Sequence, residues 1–187
     1  MVPLTSLWVP ILLSAVIVFV ASSIFHMLLP FHRKDYGKVA AEAEVMAALR
    51  PFAIPPGDYV MPLAVPPARM DSPEMIDKMT KGPVVMMTVL PSGPPAMGAT
   101  FGLWFAYCAV IGLFAAYVAG RALSPGAPYL EVFRFAGTVA FIGYSAALWQ
   151  MSIWFKRSWG TTLRATIDGL VYGMLTAGTF GWLWPRG

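Results

Sequence analysis

One ionisable residue stands inside the apolar C-terminal run of this chain, Asp168, with Arg164 one helical turn before it. Residues four apart share a helix face, so an Arg164–Asp168 ion pair is available. A charge at membrane depth is costly, and where nothing neutralises it, it marks an ion or proton path. Two chemistries follow. Paired with each other, the residues are structural, with the arginine reaching towards the interface. Unpaired, Asp168 is a carboxylate able to bind a proton or a cation. The spacing makes the structural pair the preferred reading and the proton- or cation-coupled carboxylate the alternative.

The remaining reactive residues are few. A haem between helices takes one histidine from each of two facing helices. His26 and His32 follow one another at one end of the first apolar run, off any common helical face, so neither a haem nor a metal is expected of them. His26 reads as an interfacial residue with Ser22, one turn back, as its hydrogen-bond partner. Cys108 is the single cysteine, which excludes thiol–disulfide exchange within the chain. Met61, Met70, Met75, Met79, Met86 and Met87 enrich the middle of the chain, and Met75 and Met79 share a helix face. Thioethers bind Cu(I), but methionine is also the adaptable filler of apolar surfaces, which is the preferred reading. No serine–histidine–acid set, paired intramembrane carboxylates, phosphate loop or dinucleotide motif occurs. An enzyme and a cofactor are therefore not expected.

Packing is the strongest positional signal. Ala165, Gly169, Gly173, Ala177 and Gly181 recur at every fourth position and stack into one groove on a helix. Glycine in a helix costs roughly 1 kcal/mol against alanine. In lipid, a ridge of it serves close approach of a second helix. Cys108, Gly112, Ala116 and Gly120 form a matching row, so the ridge has a partner available within the chain as well as between chains.

Positioning these residues requires membrane-length helices. Hydrophobic residues make up 58% of the chain and charged residues 12%, with a mean hydropathy of +0.66; soluble domains carry about 25% charged residues. Stretches from about Leu4 to Leu29, Ala99 to Ala119, Phe133 to Ile153 and Ala165 to Trp184 each reach the roughly 20 residues a span needs. The first is too long for a secretory signal core and lacks a basic start, so it reads as a retained span. Arg33, Lys34, Lys38, Lys81, Lys156, Arg157 and Arg164 flank one side, against Arg121, Arg134 and Arg186 on the other. The richer side is expected to be cytoplasmic, which puts both termini on the far side of an inner membrane. Lys156 and Arg157, beside Trp154 and Trp159, are the expected lipid-headgroup contacts. The net charge of +4 suits anionic lipid, and no basic run interleaved with aromatics suggests nucleic acid.

The expected organisation is a first transmembrane helix over residues 1–30, a cytoplasmic insert over 31–97, and helices two to four over 98–187. In the insert, Tyr36 to Arg50 reads as an amphipathic helix stopped by Pro51. Ser72 caps a second helix with Pro73 at its first position and Gly82 as its stop. Asp58 to Ala64 and Val84 to Leu90 are two candidate short strands. The fold class is thus an all-α integral membrane protein, a four-helix transmembrane bundle with a proline- and methionine-rich insert.

The run from Lys81-Gly82-Pro83 through Gly93-Pro94-Pro95-Ala96-Met97-Gly98 resembles a family of uncharacterised bacterial four-span inner-membrane proteins. The stretches Asp168-Gly169-Leu170-Val171-Tyr172-Gly173 and Phe180-Gly181-Trp182-Leu183-Trp184-Pro185 resemble the same family. The resemblance implies the four-span architecture and carries over no functional residue. The expected role is a non-enzymatic packing or accessory subunit, in a homo-oligomer or a larger membrane complex. A small proton- or cation-coupled transporter using Asp168 is the alternative, with copper handling behind it.

Overall fold

A backbone taken out of water must satisfy its own N–H and C=O groups, so long uncharged apolar runs fold as helices. The computed structural model describes residues 1–186; Gly187, the last residue of the expected membrane segment, lies outside them. In chain order the elements are α1 (Trp8–Ser23), α2 (Glu42–Leu49), β1 (Gly57–Met61), α3 (Pro73–Lys81), β2 (Val85–Val89), α4 (Met97–Ala122), α5 (Tyr129–Ser145), α6 (Trp149–Ile153) and α7 (Trp159–Trp182). The chain divides into two compact units. One joins residues 1–37 to the chain from Ala96 onward; the other is Lys38–Pro95.

In the first unit, three helices are long and apolar enough to cross a membrane: Trp8–Leu28, Met97–Ala122 and Tyr129–Ile153. The first extends α1 through a wide turn at Ile24–Leu28, and the third joins α5 to α6 through a tight turn at Ala146–Leu148. The expected fourth span is α7, which is 24 residues long yet falls short of the other three in apolarity. The cause is polar residues turned inward. Thr161, Thr162, Asp168, Thr176 and Thr179 are all buried, while Leu163, Ile167, Leu170 and Met174 are exposed. Thr166, Thr176 and Thr179 donate their hydroxyls to the carbonyls of Thr162, Tyr172 and Leu175, which satisfies them without water.

The four long helices close a ring in which α1 and α5 each pack against both α4 and α7. Val2, Leu7, Ala119, Leu123, Val132 and Phe180 meet in one buried cluster. The start of α1, the end of α4, the start of α5 and the end of α7 therefore share one end of the bundle. The interior is lined with small residues such as Ala15, Cys108, Ala115, Ala136 and Ala140, while Leu103, Phe114, Tyr117, Val16 and Val20 face outward. Small side chains inside and large apolar ones outside is the pattern of helices packed in lipid.

The small-residue rows are occupied within this unit. A Cβ on Gly169 would collide with the Ser145 side chain; one on Gly173 would lie 3.2 Å from Phe141, and one on Gly181 2.6 Å from the Tyr129 ring. Ala177 lies opposite Gly137, and Ala165 is half-buried on the same helix. The α7 ridge thus seats α5. The α4 row seats the first helix instead: Gly112 faces Ile11 and Ser14, Gly120 faces Val2 and Leu7, and Cys108 and Ala116 are buried.

In the second unit, β1 and β2 pair antiparallel, with Tyr59 opposite Met87. The helix expected over Tyr36–Arg50 begins only at Glu42, after Ala41 takes a left-handed conformation, and ends in a tight turn through Pro51. The Ser72 cap is made: its Oγ accepts from Met75 N at 3.3 Å. Met75 is buried and Met79 half-buried, as packing residues are.

Candidate functional site

The site assembles where the first helix stops being regular. Six residues on an α-helix turn through about 600°, which would leave His26 and His32 about 120° apart. Here the helix widens at Ile24–Leu28, where Leu29 N donates to Ile24 O at 3.1 Å. Leu29 is then extended and Pro30 opens a tight turn through His32, so the chain folds back on itself. The two imidazoles stack with centroids 4.1 Å apart. Wide helical turns of this kind recur at functional sites.

Residues 31–37, which the sequence places in the insert, belong to the bundle and bring Asp35 to α7. Arg164 Nε donates to Asp35 Oδ1 at 2.6 Å and Nη2 donates to Lys34 O at 3.3 Å. The expected Arg164–Asp168 pair is therefore replaced by Arg164–Asp35, because a folded-back loop supplies a carboxylate that a helix-only argument cannot contain. Thr161 Oγ1 adds a contact to Asp35 O at 3.4 Å. Burial by itself would raise the Asp35 pKa, but the hydrogen bonds from His32 and Arg164 outweigh it and hold the carboxyl below its usual value.

Asp168 is left without its arginine. It is 3% exposed, and its Oδ1 is buried with no hydrogen-bond partner. Its Oδ2 lies 2.9 Å from His32 Nε2 and 3.8 Å from His26 Nε2. The ligand atoms of His26, His32 and Asp168 all fall within 4.8 Å of one another, the spacing of a group able to hold a metal ion. The tautomer matters. His32 Nδ1 sits 2.7 Å from Asp35 Oδ2, and a neutral imidazole donating there turns a bare Nε2 lone pair towards Asp168. That Nε2 makes no hydrogen bond despite the short separation. A lone pair and a carboxylate oxygen so close repel unless a positive charge lies between them.

Aromatic rings line one side of Asp168. Tyr172, one turn beyond Asp168, packs edge-on against Phe25 at 6.4 Å and Tyr144 at 5.5 Å. The Tyr172 hydroxyl and Ser145 Oγ are buried without partners. Ser22, expected beneath His26, instead accepts from Trp104 Nε1 at 2.7 Å and donates to Phe19 O. Lys156 and Arg157 lie in the α6–α7 connection; Lys156 is exposed and its Nζ donates to Ile153 O at 3.1 Å.

Spacing along the sequence singles out Asp168 and Arg164 but not Asp35 or the histidine pair. The signal present was Pro30 two residues before His32: a proline there ends the helix and permits the return of the chain. No protein-family model, curated protein or solved structure matches the chain.

Proposed function

We propose that this chain is a four-span protein of a bacterial inner membrane that binds a cation at Asp168, at the cytoplasmic end of its bundle. One observation carries the reading: a carboxylate 3% exposed that faces the imidazoles of His32 and His26, while Arg164, one turn before it, is committed to Asp35. A buried carboxylate facing neutral imidazoles alone costs several kcal/mol, and a cation held between them removes that cost.

The span count is supported by hydrogen bonds at the far end. Trp184 Nε1 donates to Ser124 O at 3.0 Å and Gly126 N to Pro185 O at 2.8 Å. These fasten the end of α7 to the α4–α5 connection, so if α5 crosses the bilayer, α7 beside it crosses too. The basic residues Arg33, Lys34, Lys156, Arg157 and Arg164 favour the cytoplasm for the site end, with both termini opposite. Lys156 and Arg157 then meet anionic headgroups. Residence of the cation is favoured over passage, because Val18, Ile111, Ala140 and Tyr144, then Val132, Ala136 and Phe180, fill the bundle beyond the site. The accessory-subunit reading drew on the small-residue ridges, and their packing inside the chain removes that support.

The test is thermal unfolding of the full chain in detergent against Na⁺, K⁺, Mg²⁺, Ca²⁺, Mn²⁺ and Zn²⁺. A cation at 100 times its Kd should stabilise by about 2.7 kcal/mol, and Asp168→Asn should abolish the shift. If no cation stabilises the chain, or Asp168→Asn responds as the parent does, the reading fails.

A further inference from the structure

Resting on the reading that a cation sits at Asp168, we propose that the cation is a divalent first-row transition metal. Its ligands are His26 Nε2, His32 Nε2 and a carboxylate oxygen of Asp168, and Asp35 and Arg164 hold the ligand set from outside.

Four features point the same way. First, metal–ligand bonds of about 2.0–2.2 Å put neighbouring ligand atoms roughly 3.0–3.5 Å apart in tetrahedral or octahedral sites. The 2.9 Å and 3.8 Å from Asp168 Oδ2 bracket that range; the His26 ring, stacked on His32 with centroids 4.1 Å apart, must turn off that stack to aim its Nε2 at the same ion. Second, imidazole nitrogen selects zinc, iron, nickel and copper over magnesium and calcium, which prefer all-oxygen ligands. Two histidines and one carboxylate on one face are a recurrent transition-metal set that leaves at least one position open.

Third, His32 has the outer support of a metal-bound histidine. A ligating imidazole donates its other N–H to a carboxylate, which fixes the tautomer and raises ligand basicity. Here that carboxylate is Asp35, itself held by Arg164 at 2.6 Å. Asp35 and Arg164 cancel in charge, leaving Asp168 as the anion for the metal to meet. Fourth, His32 Nε2 and Asp168 Oδ1 are buried polar atoms without partners, a state rare in native proteins and relieved by an ion. The His26 side chain is 52% exposed while that of Asp168 is 5% exposed, so an ion reaches the carboxylate past His26. His26 is thus the ligand free to swing and close the site.

The test uses the full chain in detergent, stripped with a chelator and titrated with Co²⁺, then with Zn²⁺ as competitor. Cobalt should give the visible d–d absorption of a nitrogen- and oxygen-ligated site, and zinc should displace it. Asp35→Asn should weaken Zn²⁺ binding by ~10–100-fold, the usual cost of losing an outer-shell partner. His32→Ala, His26→Ala and Asp168→Asn should weaken it more, and Leu103→Ala, on the outward face of α4, not at all. The cobalt spectrum of the unaltered chain needs no variant to fold. Mg²⁺ or Ca²⁺ binding that requires Asp168 but survives both histidine substitutions overturns the metal class and spares the cation reading. Absence of binding by any cation overturns both and leaves a proton shared between His32 and Asp168.

Discussion

Arg164 reaches across to Asp35, 2.6 Å away, instead of along its own helix to Asp168. One contact does two things: it fastens the folded-back loop to α7, and it leaves Asp168 facing His32 and His26 instead of an arginine. Both side chains are largely out of water, at 21% and 12% exposed, so removing one partner strands the other. Arg164→Ala should cost about 3 kcal/mol, read by unfolding of the detergent-solubilised chain. Arg164→Ala with Asp35→Asn should cost clearly less than the sum of the two changes. Additivity within about 0.5 kcal/mol would mean that the residues do not interact.

The α7 ridge makes a different prediction from a dimerisation motif. Gly169 lies under Ser145, and Gly173 lies against Phe141. Gly173→Leu should therefore destabilise the single chain by about 1–3 kcal/mol or more through overpacking. Its sedimentation or light-scattering mass in mild detergent should match that of the parent. A folded variant that has lost only its oligomeric state would place the ridge between chains instead.

How far these features were legible depends on how local they are. The membrane helices and the small-residue rows follow from run length and four-residue spacing, which the sequence displays directly. The partner of Arg164 does not: Asp35 lies 129 residues away, and spacing arguments see only the same helix. The histidines were discounted on regular-helix geometry, which the wide turn at Ile24–Leu28 and the return at Pro30 break. Even α7, the helix expected as a fourth span, is blurred by hydropathy alone, since the inward-turned Thr176, Thr179 and Asp168 are averaged with the outward Leu170 and Met174. Direction of side chains, not their composition, separates a polar membrane helix from a soluble one.

Whether α7 crosses the bilayer can be decided by labelling. Cys108 is the only cysteine and is buried, so Cys108→Ser provides a thiol-free background. In that background, Lys156→Cys sits in the connection before α7, and Ser124→Cys and Arg186→Cys sit at the other end of the bundle. The ties from Trp184 to Ser124 and from Gly126 to Pro185 require the last two positions to share a side. In inverted and right-side-out vesicles, an impermeant maleimide should label Lys156→Cys from the cytoplasmic face alone. It should label Ser124→Cys and Arg186→Cys from the opposite face alone. If Arg186→Cys instead reports the same face as Lys156→Cys, α7 does not cross, and the far-end ties are absent in the membrane. That outcome would also remove the bilayer as the reason for the outward Leu163, Ile167, Leu170 and Met174 stripe.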